Sequence, residues 1–166
     1  MLVKILRFTN LYVAVLVALT CSLLLSGCDA VKSAVGIQQS KVWLEKINFK
    51  STPNANDSSP VKIHVVIAYK EALAADIAKL SATDYFQKAI KLKADNGDDL
   101  DVFSIDVLPD SSNTLMITPN LSTGFVALMF ARYTSPGDHR TNVGADYEIQ
   151  VILDKKDLKV TPIKKG

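Results

Sequence analysis

The spacing of apolar residues changes character repeatedly along this chain, and each change marks an element. Residues 11–25 are an almost unbroken apolar run behind Lys4 and Arg7. After a stretch of small and polar residues, Val42 to Phe49 alternates, with Trp43, Ile47 and Phe49 on one parity and Glu45 the exception, which predicts a first strand. Ten turn formers, residues 51–60, separate it from Val61 to Tyr69, where Val61, Ile63, Val65 and Ile67 can share a core face. The period then lengthens. Leu73, Ile77 and Leu80 recur at helical spacing, and Ser81 or Thr83 can cap a second helical piece with the stripe Tyr85, Phe86, Ala89, Ile90 and Lys93. Gly97 offers a positive φ to end it. Strand patterns return at 102–108, 115–117, 124–133 and 147–153, and the third is so apolar that it predicts a central strand buried on both faces. Pro109, Pro119 and Pro136 fall between these runs, and Leu158 and Val160 suggest a last short strand. Six or seven strands with a helical insertion after the second predict a mainly β fold, a two-sheet β-sandwich; an open sheet or half-barrel capped by the helix is the alternative.

The run at 11–25 decides which residues belong to the working protein. At about 15 residues it falls short of the ~20 that a bilayer core requires, and it lies between a basic start and small residues, as a secretory signal does. It ends in Leu25-Ser26-Gly27-Cys28, which resembles a lipobox: the cysteine sulfur receives diacylglycerol, and after cleavage the new amino terminus takes an acyl chain such as palmitate. This divides the chain into a cleaved signal peptide (1–27), a lipidated tether (28–40) and a sandwich domain (41–166). The only other cysteine, Cys21, leaves with the signal, so the mature chain can form neither an internal disulfide nor a cysteine-based metal site. Cleavage also removes Lys4 and Arg7. The 19 Lys+Arg and 17 Asp+Glu of the full chain become 17 of each, so the precursor's mild basicity is no argument for a nucleic-acid partner.

Reactive chemistry is sparse. His64 sits mid-strand and reads as a surface or edge residue, while His139 lies in a loop beside Asp138, where a histidine can act as a base. Two histidines with no third ligand do not suggest a zinc site. Asp95, Asp98, Asp99 and Asp101 around Gly97 lack the alternate-position ligands of a calcium loop and read as a polar turn. No Gly-x-Ser-x-Gly elbow and no phosphate-cradling glycine loop occurs. No catalytic residue, metal or cofactor is expected beyond the covalent lipid on Cys28.

The order of elements resembles the TssJ family, the outer-membrane lipoproteins of type VI secretion systems. The likeness spans about residues 41–153. It rests on the lipobox, an Asn-containing loop leading to Ser59-Pro60-Val61, an apolar strand ending in Tyr69, and a helical stretch with Asp84-Tyr85-Phe86. Leu108-Pro109, the strand ending Phe130-Ala131-Arg132-Tyr133 and His139-Arg140 complete it. Pro109-Asp110 stands where the family commonly has Pro-Gly, and His139 where it has an aromatic, which marks a divergent member or an analogue from a related secretion system. The resemblance implies a transthyretin-like sandwich without catalysis. Its partner would be the periplasmic domain of a large TssM-like inner-membrane protein, docked by the loop between the first two strands, here Asn54, Asn56, Asp57 and Ser58. It further implies anchoring at the periplasmic face of the outer membrane, although Asp29 directly after Cys28 is a feature of inner-membrane retention. A periplasmic ligand- or carbohydrate-binding lipoprotein is the alternative, and a hydrolase using His139 and Asp138 a third class.

Overall fold

Alternating strands whose apolar side chains all point one way must pair face to face, and they do so across residues 39–163, the part described by the computed structural model. The signal, the lipobox residues Leu25, Ser26, Gly27 and Cys28, and nearly all of the tether lie outside the described residues. In chain order the strands are β1 (Ser40–Lys41), β2 (Lys46–Ser51) and β3 (Val61–Ala68). Helices α1 (Glu71–Ile77) and α2 (Ala82–Asn96) follow, then β4 (Leu100–Val107), β5 (Ser112–Met116), β6 (Thr123–Gly124), β7 (Val126–Arg132), β8 (Arg140–Asn142), β9 (Glu148–Leu153) and β10 (Leu158–Pro162).

Two four-stranded sheets form, ordered β10–β9–β2–β5 and β4–β3–β7–β8, and β1 pairs with β6. All pairings are antiparallel except β2 with β9. The first sheet contributes Ile47, Phe49, Ile149, Val151 and Leu153 to the core, and the second contributes Ile63, Val65, Ile67, Ala127, Met129 and Ala131. The architecture is the expected two-sheet β-sandwich.

A second packing layer lies on the outer face of β4–β3–β7–β8. Val66, Leu128 and Phe130 point away from the other sheet and are nevertheless buried, because the two helices pack on that face. Tyr85 stacks on Phe130 with ring centres 4.1 Å apart, and its hydroxyl lies 3.0 Å from His64 Nδ1. At ~25 cal/mol per Å2 a fully buried ring of this size contributes on the order of 4 kcal/mol. His64 is thus no edge residue: it sits on a central strand beneath the helix, and burial, then Lys62, holds its pKa below the usual 6.5. Of the two possible caps of α2, Ser81 serves, its Oγ accepting from Asp84 N at 3.1 Å, and Gly97 ends the helix at φ +48°.

Three expectations need correction. Trp43 is 46% exposed while Val42 and Leu44 are buried, because the chain slips one residue at Glu45 before β2 begins and a slip of one flips every side chain. Ile90 is 90% exposed: the packed stripe of α2 runs through Ala82, Tyr85, Ala89 and Leu92. Finally, β1, β6 and β8 raise the strand count, since pieces of two or three residues are too short to show a period.

Candidate partner-binding surface

Because β2 and β3 belong to different sheets, residues 52–60 must cross from one layer to the other at one end of the sandwich. The crossing contains no glycine, yet Asn56, Asp57 and Ser58 all have left-handed backbones, with φ of 47°, 53° and 62°. Asn and Asp tolerate that region best, at ~1–2 kcal/mol for an ordinary residue, so something must hold the turn.

The holder is Asn56. It is buried, and its Oδ1 accepts from Thr134 N at 2.7 Å and Thr134 Oγ1 at 3.0 Å. Its Nδ2 donates to the Pro60 carbonyl at 3.0 Å, and its backbone N–H to the Asp154 carbonyl at 3.2 Å. One residue thereby joins the crossing loop, the loop after β7 and the β9–β10 turn. Further ties run from Thr52 N to Leu153 O (2.9 Å), Ser135 Oγ to Lys156 O (2.8 Å), Tyr133 Oη to Asp157 O (3.0 Å) and Asp110 N to Thr52 O (3.2 Å). The resulting platform is cross-braced and polar. Of the four residues expected to bind, Asn54, Asp57 and Ser58 face solvent, and Asp57 lies 3.5 Å from Lys155 Nζ; Asn56 faces inward.

His139 belongs to the same bracing. Its Nε2 lies 2.8 Å from the Ser135 carbonyl and its Nδ1 3.1 Å from Asp157 Oδ1, so both ring nitrogens already have acceptors. The buried ring packs against Tyr133 at 4.8 Å, and a Cβ on Gly137 would come within 2.7 Å of it, so only glycine fits there without displacement. Asp138, offered by the sequence as its partner, is directed instead towards Arg140 at 3.9 Å. Arg140 donates to the carbonyls of Ala78 and Leu80 (the latter at 2.8 Å), joining β8 to the end of α1. Among the described residues the polar partners of the His139 ring are Asp157 and the Ser135 carbonyl, neither of them a hydroxyl or thiol nucleophile.

The acidic residues near Gly97 disperse to separate partners. Asp95 pairs with Lys91 at 2.8 Å and Asp99 with Lys70 at 2.5 Å. Asp101 turns inward and accepts from Tyr69 Oη at 2.5 Å, from Asn120 N at 2.8 Å and from the Asn120 amide. Burial, and then that carboxylate, raise the Tyr69 pKa well above its ordinary value. Among the described residues no group of three His, Cys, Asp or Glu is placed to hold a metal ion.

No family model and no curated protein matches the sequence. Solved structures do match. The type VI secretion lipoprotein TssJ1 from Pseudomonas aeruginosa superposes with a TM-score of 0.56 at 14% identity, over 76% of this chain and 100% of that one. Serratia marcescens Lip, a membrane-bound component of the type VI secretion system, gives 0.53 at 16% identity, over 70% of this chain and 95% of its own. A chain from the structure of the TssM C-terminal domain from EAEC gives 0.52 at 10% identity, over 72% and 98%. The fold is that of the TssJ lipoproteins. In this TssJ-like sandwich the braced loops occupy one end, and the segment arriving from the N-terminus occupies the other. What sequence reasoning missed is the inward role of Asn56, whose partner Thr134 is 78 residues away.

Proposed function

We propose that this protein is a non-catalytic, lipid-anchored tether of a type VI-like secretion complex. The observation that carries the reading is the TssJ-like fold, which covers the whole of TssJ1 and sits behind a lipobox in the sequence. Acyl chains on Cys28 hold one end, each buried methylene contributing ~0.8 kcal/mol. The opposite end presents Asn54, Asp57 and Ser58 to the periplasmic domain of a large TssM-like inner-membrane protein. Bracing by Asn56 lowers the entropy lost when such a loop is captured, because the turn is ordered before the partner arrives. The exposed groups are polar and weakly charged, so the matching surface should supply hydrogen-bond donors and acceptors in fixed positions rather than an apolar pocket. The family resemblance supports an anchor at the periplasmic face of the outer membrane; Asp29 makes the inner membrane the other address.

Affinity capture from membranes tests this. The intact protein is expected to recover a large inner-membrane protein, and a variant carrying Asn54→Ala, Asp57→Gly and Ser58→Gly, glycine adopting the left-handed backbone without strain, is expected to lose it while still unfolding in one cooperative transition. Equal recovery by both would sink the loop assignment. Cys28→Ser should release the domain from membranes, and its retention there at high salt would sink the anchor.

A further inference from the structure

Among the described residues seven large hydrophobic side chains are exposed, and they are not spread evenly. Ile90 is on α2 and Leu108 adjoins the braced loops. The other five, Trp43, Met116, Leu121, Tyr147 and Ile163, all lie at the opposite end. Their places follow from the main-chain bonds. Trp43 N donates to Gly144 O at 3.2 Å, and Val42 N to Ser122 O, beside Leu121, at 3.2 Å. The Tyr147 carbonyl accepts from Glu45 N at 2.9 Å, Ile163 N donates to Glu148 O at 2.9 Å, and Met116 stands opposite Lys46 at the end of β5. A recess of about 350 Å3 opens beside the indole, lined by Lys41, Val42, Trp43 and Phe125 among others. Lys41 Nζ sits 3.8 Å above the Trp43 ring.

This is also the end at which the chain arrives from Cys28. Gln39, the first described residue, is eleven positions after that cysteine, a reach of at most about 40 Å when fully extended. A bilayer holding the lipid is therefore always within reach of these five side chains, at an effective concentration that makes even a weak contact count. Clustered apolar side chains on a surface mark contact sites, and Trp and Tyr, apolar with one polar atom, suit the boundary between headgroups and acyl chains. Lys41 and Lys46 stand beside Glu45, Asp146 and Glu148, so the described surface has no basic excess and offers apolar contact rather than headgroup charge.

We propose that this end is a membrane seat: Trp43, Met116, Leu121, Tyr147 and Ile163 rest in the interface of the bilayer that carries the anchor. The proposal depends on the lipid-anchored reading above and adds an orientation to it. With the eight residues of β3 spanning about 26 Å between the ends, the seat directs Asn54, Asp57 and Ser58 away from the bilayer, towards the periplasm.

Trp43 is the chain's single tryptophan and reports directly on the seat. Full-length lipidated protein is reconstituted into phosphatidylcholine vesicles with or without bromine on the acyl chains, and flotation and emission are both measured. At least two-fold quenching by the brominated lipid is expected, and Met116→Asp with Leu121→Asp should cut that quenching by more than half with flotation and melting temperature unchanged. Flotation without quenching overturns the seat and leaves the anchor standing. Failure to float overturns the anchor and the seat with it. Emission that shifts with protein concentration in the absence of vesicles assigns the surface to a second copy and also overturns the seat.

Discussion

The same strands run between the two ends of this sandwich, but different bonds close them. At the braced end side chains do the joining: Asn56, Thr134, Ser135, Tyr133 and His139 reach between three loops, and what faces solvent is mostly polar. At the tether end main-chain bonds from Val42, Trp43 and Glu45 thread the arriving segment between the loops around Ser122 and Gly144, and large apolar side chains remain outside. Side-chain bracing fixes an irregular surface that a partner can read in detail. Main-chain threading fixes the path of the chain and leaves large apolar side chains facing outward. Under the proposed tether and seat, one end would serve protein recognition and the other lipid.

The largest effect should come from removing the central brace. Asn56→Ala deletes three side-chain hydrogen bonds and puts Ala in a left-handed turn. A loss of about 2–4 kcal/mol is expected in chemical denaturation. Hydrogen exchange should quicken in residues 133–139 and 154–157 as well as 52–60; quickening confined to 52–60 would show that the end is not one unit. Asn56→Gly, which keeps the turn geometry cheap and loses only the amide, separates strain from bonding.

Among the described residues of the tether end, the buried Asp101 hub is a comparable device. Tyr69→Phe removes one of its three donors and should cost ~1 kcal/mol, less than Asn56→Ala because Asn120 still satisfies the carboxylate. Equal losses for the two variants would erase the contrast between the ends.

The smallest effect belongs to neither end. His64 lies between them under α2, and its pKa is lowered in the folded protein, first by burial and then by Lys62. Above the unfolded value of 6.5 both states hold the ring neutral; as pH falls below it the unfolded chain takes up the proton first, so stability declines towards the folded pKa. The drop in melting temperature between pH 7.5 and 5.5 should shrink in His64→Gln. An unchanged drop would place the sensitive group elsewhere.

Much of the fold was legible because its signals are local. The alternation of Ile63, Val65 and Ile67, the wholly apolar 126–131, the Ser81 cap and the Gly97 stop each name an element and a face within a few residues. The site was less legible. Turn formers at 51–60 announced an exposed crossing loop, and Asn54, Asp57 and Ser58 are exposed, but composition alone does not distinguish them from Asn56, which a contact 78 residues distant draws inward.

By itself, then, the sequence determined the sandwich, its helical cover and the expectation of a lipid on Cys28, since periodicity and a signal motif act through neighbouring residues. Tertiary structure decided the rest: that a one-residue slip at Glu45 turns Trp43 outward, that His139 and Asp138 part company, and that five apolar side chains gather where the tether arrives. Each of these depends on which loops become neighbours at an end of the sandwich, and loop neighbours are chosen by the packing of whole sheets rather than by any local pattern.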